Sequence, residues 1–316
     1  MRYRECFLAG VLVVGVLAAT TSPALASTLI PIDVPGGTET QAYGINDRGQ
    51  IVGNYVAGGA FHGFLLANGI FTAIDVPGAT TGTQAREINN RGQIVGVYFT
   101  GAGRPVSHGF LLEKGIFTTI DVPGARDTRA LGINDRGQIV GDYVAGASLG
   151  FLLDQGIFTT IDVPGARVTE AFGINNRGQI VGVYNAGEAL HGFLLDQGMF
   201  TTIDVPGARV TDAFGINDHG QIVGTYVLAG TAALHGFLKD AEDAGEHIDG
   251  NVDDVHEDGD DVSDGHRNVQ LDHGIFTTID VPGASETDLF GINNRGQMVG
   301  VYVAAGTSAF HGFVLF

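Results

Sequence analysis

Just ahead of a recurring Gly-Ile-Asn phrase, one position reads Gln41, Gln84, Arg129, Glu170, Asp212 and Asp288 in six successive copies. In the second copy the aromatic-Gly pair that follows is replaced by Arg86-Glu87. Carboxylates on three consecutive copies, faced by Arg86 and Arg129, are suited to holding a polar ligand such as a glycan. Two suitably spaced carboxylates are also what glycoside cleavage needs, although nothing in the sequence selects the pair. Arg86, Glu87, Arg129, Glu170, Asp212 and Asp288 are therefore the candidate ligand-binding residues. No Ser-His-Asp order, phosphate loop or zinc spacing is present, and no residue is singled out as catalytic.

A second set is Asp249-Gly-Asn251-Val-Asp253, which has the alternating oxygen spacing of a calcium loop. Asp254 stands where the sixth-position Gly belongs and Asp260 replaces the terminal Glu, so Asp249, Asn251 and Asp253 carry only a weak calcium signal. No other cofactor is suggested.

Three further families of residues repeat with little variation. A histidine precedes Gly-Phe at His62, His108, His191, His235 and His311, with Leu149 in the third copy. An aspartate occupies Ile-Asp-Val in all six copies (Asp33, Asp75, Asp121, Asp162, Asp204, Asp280). Metal ligation needs several such groups within bonding distance, and one per repeat does not supply that. Both sets read as scaffold, the aspartates bonding backbone N–H groups near a turn. Arg48, Arg91, Arg136, Arg177, His219 and Arg295 sit in a tight Asn-Asp-Arg-Gly loop, where exposed charges are usual and pair with neighbouring aspartates at little gain.

The elements that position these residues follow from the period. Ile-Asp-Val begins at residues 32, 74, 120, 161, 203 and 279, steps of 42, 46, 41, 42 and 76, the last holding an insertion. Each unit has four runs rich in Ile, Val, Phe, Thr and Tyr, bounded by Gly, Pro, Asn and Asp, the pattern of short strands. They are labelled A (Gly-Ile-Asn), B (Gln-Ile-Val-Gly-x-Tyr), C (His-Gly-Phe-Leu) and D (Phe-Thr-Thr-Ile-Asp-Val). Val-Pro-Gly-Ala fits a type II turn, with Pro second and Gly third.

Four strands per ~40–45 residues predict an all-β chain, a six-bladed β-propeller. The chain opens on a lone D, Leu29 to Val34, and ends on a lone A–B–C, Phe290 to Phe316. The first strand can complete the last blade and remove both free edges. A β-solenoid is the alternative, and the complementary ends favour the ring. A–B turns hardly vary while D–A and B–C loops do, so the end carrying those loops is the expected binding face.

The run Gly44 to Gly53, followed by His62-Gly63-Phe64, resembles the HAF family of extracellular repeats, with Gly in place of the family's central Ala. The resemblance spans the repeats and implies export, with no activity attached to it.

The amino terminus agrees. Arg2 and Arg4 precede an apolar run from Phe7 to Ala19, then Ala24-Leu25-Ala26, a secretory signal cut after Ala26. The domain reading is a signal peptide at 1–26 and a single propeller domain at 27–316, interrupted by an insertion at 240–272. Thirteen carboxylates against Arg267 and no aromatic residue predict that this insertion is an acidic, disordered loop. The only cysteine, Cys6, lies in the signal, which leaves no disulfide, thiolate nucleophile or cysteine metal site.

A net charge of −19 disfavours nucleic acid and anionic lipid as partners. After signal removal no membrane segment is expected. The sequence thus points to a monomer, secreted, periplasmic or at the cell surface. It reads first as a non-catalytic binding module for a glycan or protein, then as a hydrolase or lyase using channel-mouth carboxylates, and third as a structural matrix protein.

Overall fold

A computed structural model describes residues 28–101, 103–187, 189–241 and 275–316. The expected signal segment and the bulk of the acidic insertion, including the calcium candidates Asp249, Asn251 and Asp253, lie outside the described residues.

The described residues form six antiparallel A–B–C–D groups. In the first blade the strands are Thr40–Ile45, Ile51–Ala57, Ala60–Ala67 and Ile70–Ile74, each paired with the next. The sixth blade takes its A, B and C strands from the carboxyl end (Ala284–Ile292, Met298–Ala304, Phe310–Leu315) and its D strand, Leu29–Ile32, from the amino end. Leu29 pairs with Leu315 and Ile32 with Gly312, so the ring closes as the complementary ends predict.

Turn chemistry sets the blade shape. Ala79 donates its amide to the Val76 carbonyl at 3.1 Å across Pro77 and Gly78, and Gly78 has φ +89°, as a type II turn requires. The turn is clipped to the next A strand by a threonine: Val76 N donates to Thr83 Oγ1 at 3.0 Å, and the other five copies repeat the bond.

Strand A bulges between Ala42 and Gly44, and the opposing strand B position is Gly53. A Cβ there would meet the Gln41 carbonyl, which explains why a Gly recurs in the middle of every B strand.

The core lies between blades. Phe64, Phe110, Phe151, Phe193, Phe237 and Phe313 from the C strands are wholly buried, each worth roughly 1.5–3 kcal/mol of apolar transfer. Val299 and Val314 of the sixth blade pack with Ile32, Ala42 and Phe64, closing the apolar seam between first and last blades.

The invariant polar residues join strands. His62 Nδ1 lies 3.0 Å from Asp75 Oδ1, its ring stacked 5.4 Å from Tyr55. The other four histidines pair in the same way with Asp121, Asp204, Asp280 and Asp33. In the third blade Leu149 takes the histidine's place, and Asp162 accepts instead from Thr169 Oγ1. Among the described residues the other aspartates thus pair with the histidines and not, as expected, with backbone amides near the turn, because threonine Oγ1 takes the Val amide there.

A strands line the axis. A–B turns and C–D turns share one end, where Gln179 Nε2 donates to Asp196 Oδ2 at 2.9 Å and Gln221 Nε2 to Asp240 Oδ1 at 3.0 Å. The insertion therefore leaves the fifth blade at the A–B end. D–A and B–C loops share the other end.

Candidate functional site

The channel is shaped by what each A strand places at successive levels. Nearest the D–A loops is a polar rim: Gln41, Gln84, Arg129, Glu170, Asp212 and Asp288. Two residues further on, past the wholly buried Ala42 and its counterparts, come Tyr43, Arg86, Leu131, Phe172, Phe214 and Phe290. Phe172 and Phe214 meet edge to face at 5.0 Å, Phe214 and Phe290 tilt at 5.1 Å, and Tyr43 and Phe290 meet at 5.0 Å. These four rings form a continuous aromatic wall over blades four, five, six and one. Arg86 closes it, its Cζ 4.3 Å above the Tyr43 ring and its Nη2 donating to Gln84 Oε1 at 2.8 Å.

The wall lines a cavity of about 80 Å³ together with Arg86, Glu87, Arg129 and Leu131. That is room for a few waters or one small substituent of a ligand.

Five of the six candidate residues thus meet on this wall or its rim. Arg129 donates to Asp142 Oδ2 and to Glu170 Oε1, both at 2.9 Å, bridging the third and fourth blades. Burial alone would lower the Arg129 guanidinium, but the two carboxylates hold it above its ordinary value. Asp142, a strand B residue and 2% exposed, is pushed up to about 6 by burial, with Arg129 opposing and Glu170 adding. Its Oδ1 has no hydrogen-bond partner among the described residues.

Asp212 and Asp288 differ from this pair in having no guanidinium partner. Burial raises Asp212 to about 6, reinforced by the charges of Asp288 and Glu170. Burial likewise raises Asp288 to about 6, with Thr225 Oγ1 donating to it at 3.0 Å and Glu286 adding repulsion.

Glu87 lies deeper, where the other five blades have Gly. At Gly132 an added Cβ would lie 2.5 Å from the Phe172 carbonyl, which is why neighbouring A strands require Gly at this level. The second blade breaks the rule, and its carboxyl lies against Gly44. Burial pushes Glu87 up to about 8, the Ile88 amide opposing at 2.9 Å. What remains accessible of it faces the narrow lumen, since it borders both the aromatic cavity and a second, polar cavity of about 70 Å³.

That second cavity ends in a ring absent from the sequence reading. The second residue of each Asn-Asp or Asn-Asn turn is Asp47, Asn90, Asp135, Asn176, Asp218 and Asn294, strictly alternating. Each backbone amide donates to the side chain of the next member at 2.7–2.9 Å, and the last donates to the first. Each Asn amide also bridges the two flanking carboxylates.

The turn arginines and His219 stand outside this ring, exposed. Among the described residues they form no ion pair, so the expected pairing with neighbouring aspartates is not made. Those aspartates are held by asparagine amides instead.

Sequence reasoning missed the aromatic wall, Asp142 and the Asn/Asp ring. The available signals were the acid-x-Phe triplets Glu170-Ala171-Phe172, Asp212-Ala213-Phe214 and Asp288-Leu289-Phe290, and the turn alternation. Among the described residues no three His, Cys, Asp or Glu side chains are placed to hold a metal ion.

No family model matches the chain, and no curated protein matches its sequence. Solved structures do resemble it. TolB from Acinetobacter baumannii superposes with a TM-score of 0.51 at 10% identity over 89% of this chain, which spans 64% of TolB. AofleA from Arthrobotrys oligospora gives 0.51 at 11% identity over 92% of this chain and 86% of that one. At such identities the likeness shows the fold alone, and it agrees with a β-propeller. No helix among the described residues is long and apolar enough to cross a membrane.

Proposed function

We propose that this is an exported, non-catalytic binding module that takes a glycan or protein ligand at the channel mouth on the variable-loop face. The carrying observation is the stacked pair of levels, an aromatic wall (Tyr43, Phe172, Phe214, Phe290) beneath a hydrogen-bonding rim. An apolar patch with a polar border is the usual form of a recognition site. The polar ring at the A–B end narrows the channel, so a ligand enters from the side where the repeats differ. Export rests on the signal-like amino terminus and on the likeness to HAF repeats.

A carbohydrate-active hydrolase or lyase is the second reading. Its support is the set of raised carboxyls, Glu87 at about 8 beside Asp142, Asp212 and Asp288 at about 6, since perturbed acids gather at catalytic sites.

A glycan and polysaccharide array, scored for retention and for product release, separates the two. Retention without release, lost in Phe214→Ala, supports binding, and release lost in Glu87→Gln or Asp212→Asn supports an enzyme. No retention on glycans or on an extracellular protein panel removes the reading.

A further inference from the structure

We infer that the channel mouth recognises a primary ammonium group, seated between Asp212 and Asp288 above the aromatic level of Phe214 and Phe290. This rests on the mouth being the binding site and adds the chemistry it reads.

The first ground is uncompensated charge. The mouth holds two guanidiniums and four carboxylates. Arg129 is already engaged by Asp142 and Glu170. Arg86 is tied to Gln84 and the Tyr43 ring. Asp212 and Asp288, on adjacent blades, repel one another with no cation between them, and Asp212 accepts no hydrogen bond among the described residues. Asp142, almost wholly buried beside Arg129 and Glu170, also leaves Oδ1 without a donor. Buried acceptors without donors call for a ligand bearing N–H groups.

The second ground is an internal precedent. Of the six positions on the aromatic level, the second blade supplies Arg86, and its guanidinium lies over Tyr43 in cation–π geometry. Across the channel the same level offers Phe172, Phe214 and Phe290, with carboxylates two residues earlier on the same strands and no cation. The protein fills one half of the mouth with its own cation and leaves the other half anionic and aromatic.

A metal ion does not fit, because no three ligating side chains converge. An amino sugar and a lysine side chain both present a primary ammonium group.

Asp212 is faced by Asp288 and Glu170, and Asp288 by Glu286, Tyr43 and Thr225, whose Oγ1 donates to it. Asp212 and Asp288 both have values near 6, so they set the pH response. A bound cation favours the ionised carboxylates, so binding releases protons and weakens as pH falls through 6.

The test is calorimetric titration of the exported protein at 150 mM salt, which screens diffuse attraction to the acidic insertion. The probes are glucosamine and N-acetylglucosamine, and Nα-acetyl-lysine methylamide with its Nε-acetylated form. The expected result is binding of one or both free amines and not of the acetylated forms. Affinity should be about tenfold lower at pH 5 than at pH 7.5 and lost in the Asp212→Asn/Asp288→Asn variant. That variant removes a buried repulsion, and its melting curve checks that it folds.

Which amine binds identifies the source. Acetylated probes binding as well as free amines, or undiminished binding in the double variant, would overturn the inference. Silence from every amine overturns it too. If the array then shows retention lost in Phe214→Ala, the mouth is still a binding site, and if it shows none, both readings fall.

Discussion

The backbone amide of Asn294 donates to Asp47 Oδ1 at 2.8 Å, joining residues 247 apart in sequence. This bond completes a cycle in which three carboxylates alternate with three carboxamides. Alternation matters because each carboxamide has two N–H groups and each carboxylate has none. An Asn between two Asp satisfies both, whereas two adjacent Asp would face each other without a side-chain donor. Only an even number of blades lets the pattern close.

Replacing Asn90 with Asp should therefore be costly. It removes the donors to Asp47 Oδ2 and Asp135 Oδ2 and sets three like charges in a row. We expect a loss of about 2–4 kcal/mol by urea denaturation at pH 7. A variant as stable as the parent would mean that the ring is not held by this alternation.

Closure of the propeller by the amino-terminal strand makes a second expectation. Deleting Leu29 to Val34 removes the partner of Gly312–Leu315, the Asp33 partner of His311 and the buried Ile32. The exposed edge of the last C strand is then a template for intermolecular pairing. Size-exclusion chromatography should show oligomers or aggregate, and a monomeric deletion with unchanged Tm would contradict the role of this strand.

His191→Leu should be mild. Its pair with Asp204 is partly solvated, the side chains 27% and 40% exposed, and such pairs contribute about 0–1 kcal/mol. The third blade already packs Leu149 at this position against Tyr143, within the core that carries Phe151. Denaturation should shift by no more than about 1 kcal/mol, with ligand affinity unchanged. A loss of affinity in a folded variant would move the histidines into the site.

How far the sequence led varies with the kind of signal. The blades were legible because Ile-Asp-Val and Val-Pro-Gly recur at near-constant steps, and closure because a lone D strand opens a chain that ends on A–B–C. The rim was legible at Arg129, Glu170, Asp212 and Asp288 because copies differ there in charge. Tyr43, Phe172, Phe214 and Phe290 were not, because an aromatic residue in a strand reads as core, and only a closed ring turns that position toward an axis. Asp142 was hidden in a B strand, where the Glu170 that shares Arg129 with it comes from the next blade. The Asn/Asp alternation is plain in the sequence, but its sense depends on turns 41 to 76 residues apart becoming neighbours, and on the last meeting the first.

Glu87 gives the last expectation. Where the other blades have Gly, this carboxyl is buried at the junction of the two channel cavities and its value is raised from 4.5 to about 8. The folded state therefore binds a proton that the unfolded chain has released, and stability falls as pH rises from about 4.5 to 8. The contribution is fully present below 4.5 and gone above 8. Removing the ionisable group while keeping its shape and the oxygen that accepts from Ile88 eliminates this loss. Glu87→Gln should thus melt close to the parent at pH 4 and above it at pH 9, by roughly 5–10 °C if several kcal/mol are involved. Asp212 and Asp288 add a slope of the same sign, confined to the range from about 4 to 6, and it persists in the variant. Melting curves at pH 4, 6 and 9 separate the two contributions. A variant that gains nothing at pH 9, or gains as much at pH 4, would show that Glu87 is ionised in the folded channel and that its carboxylate has found a partner there.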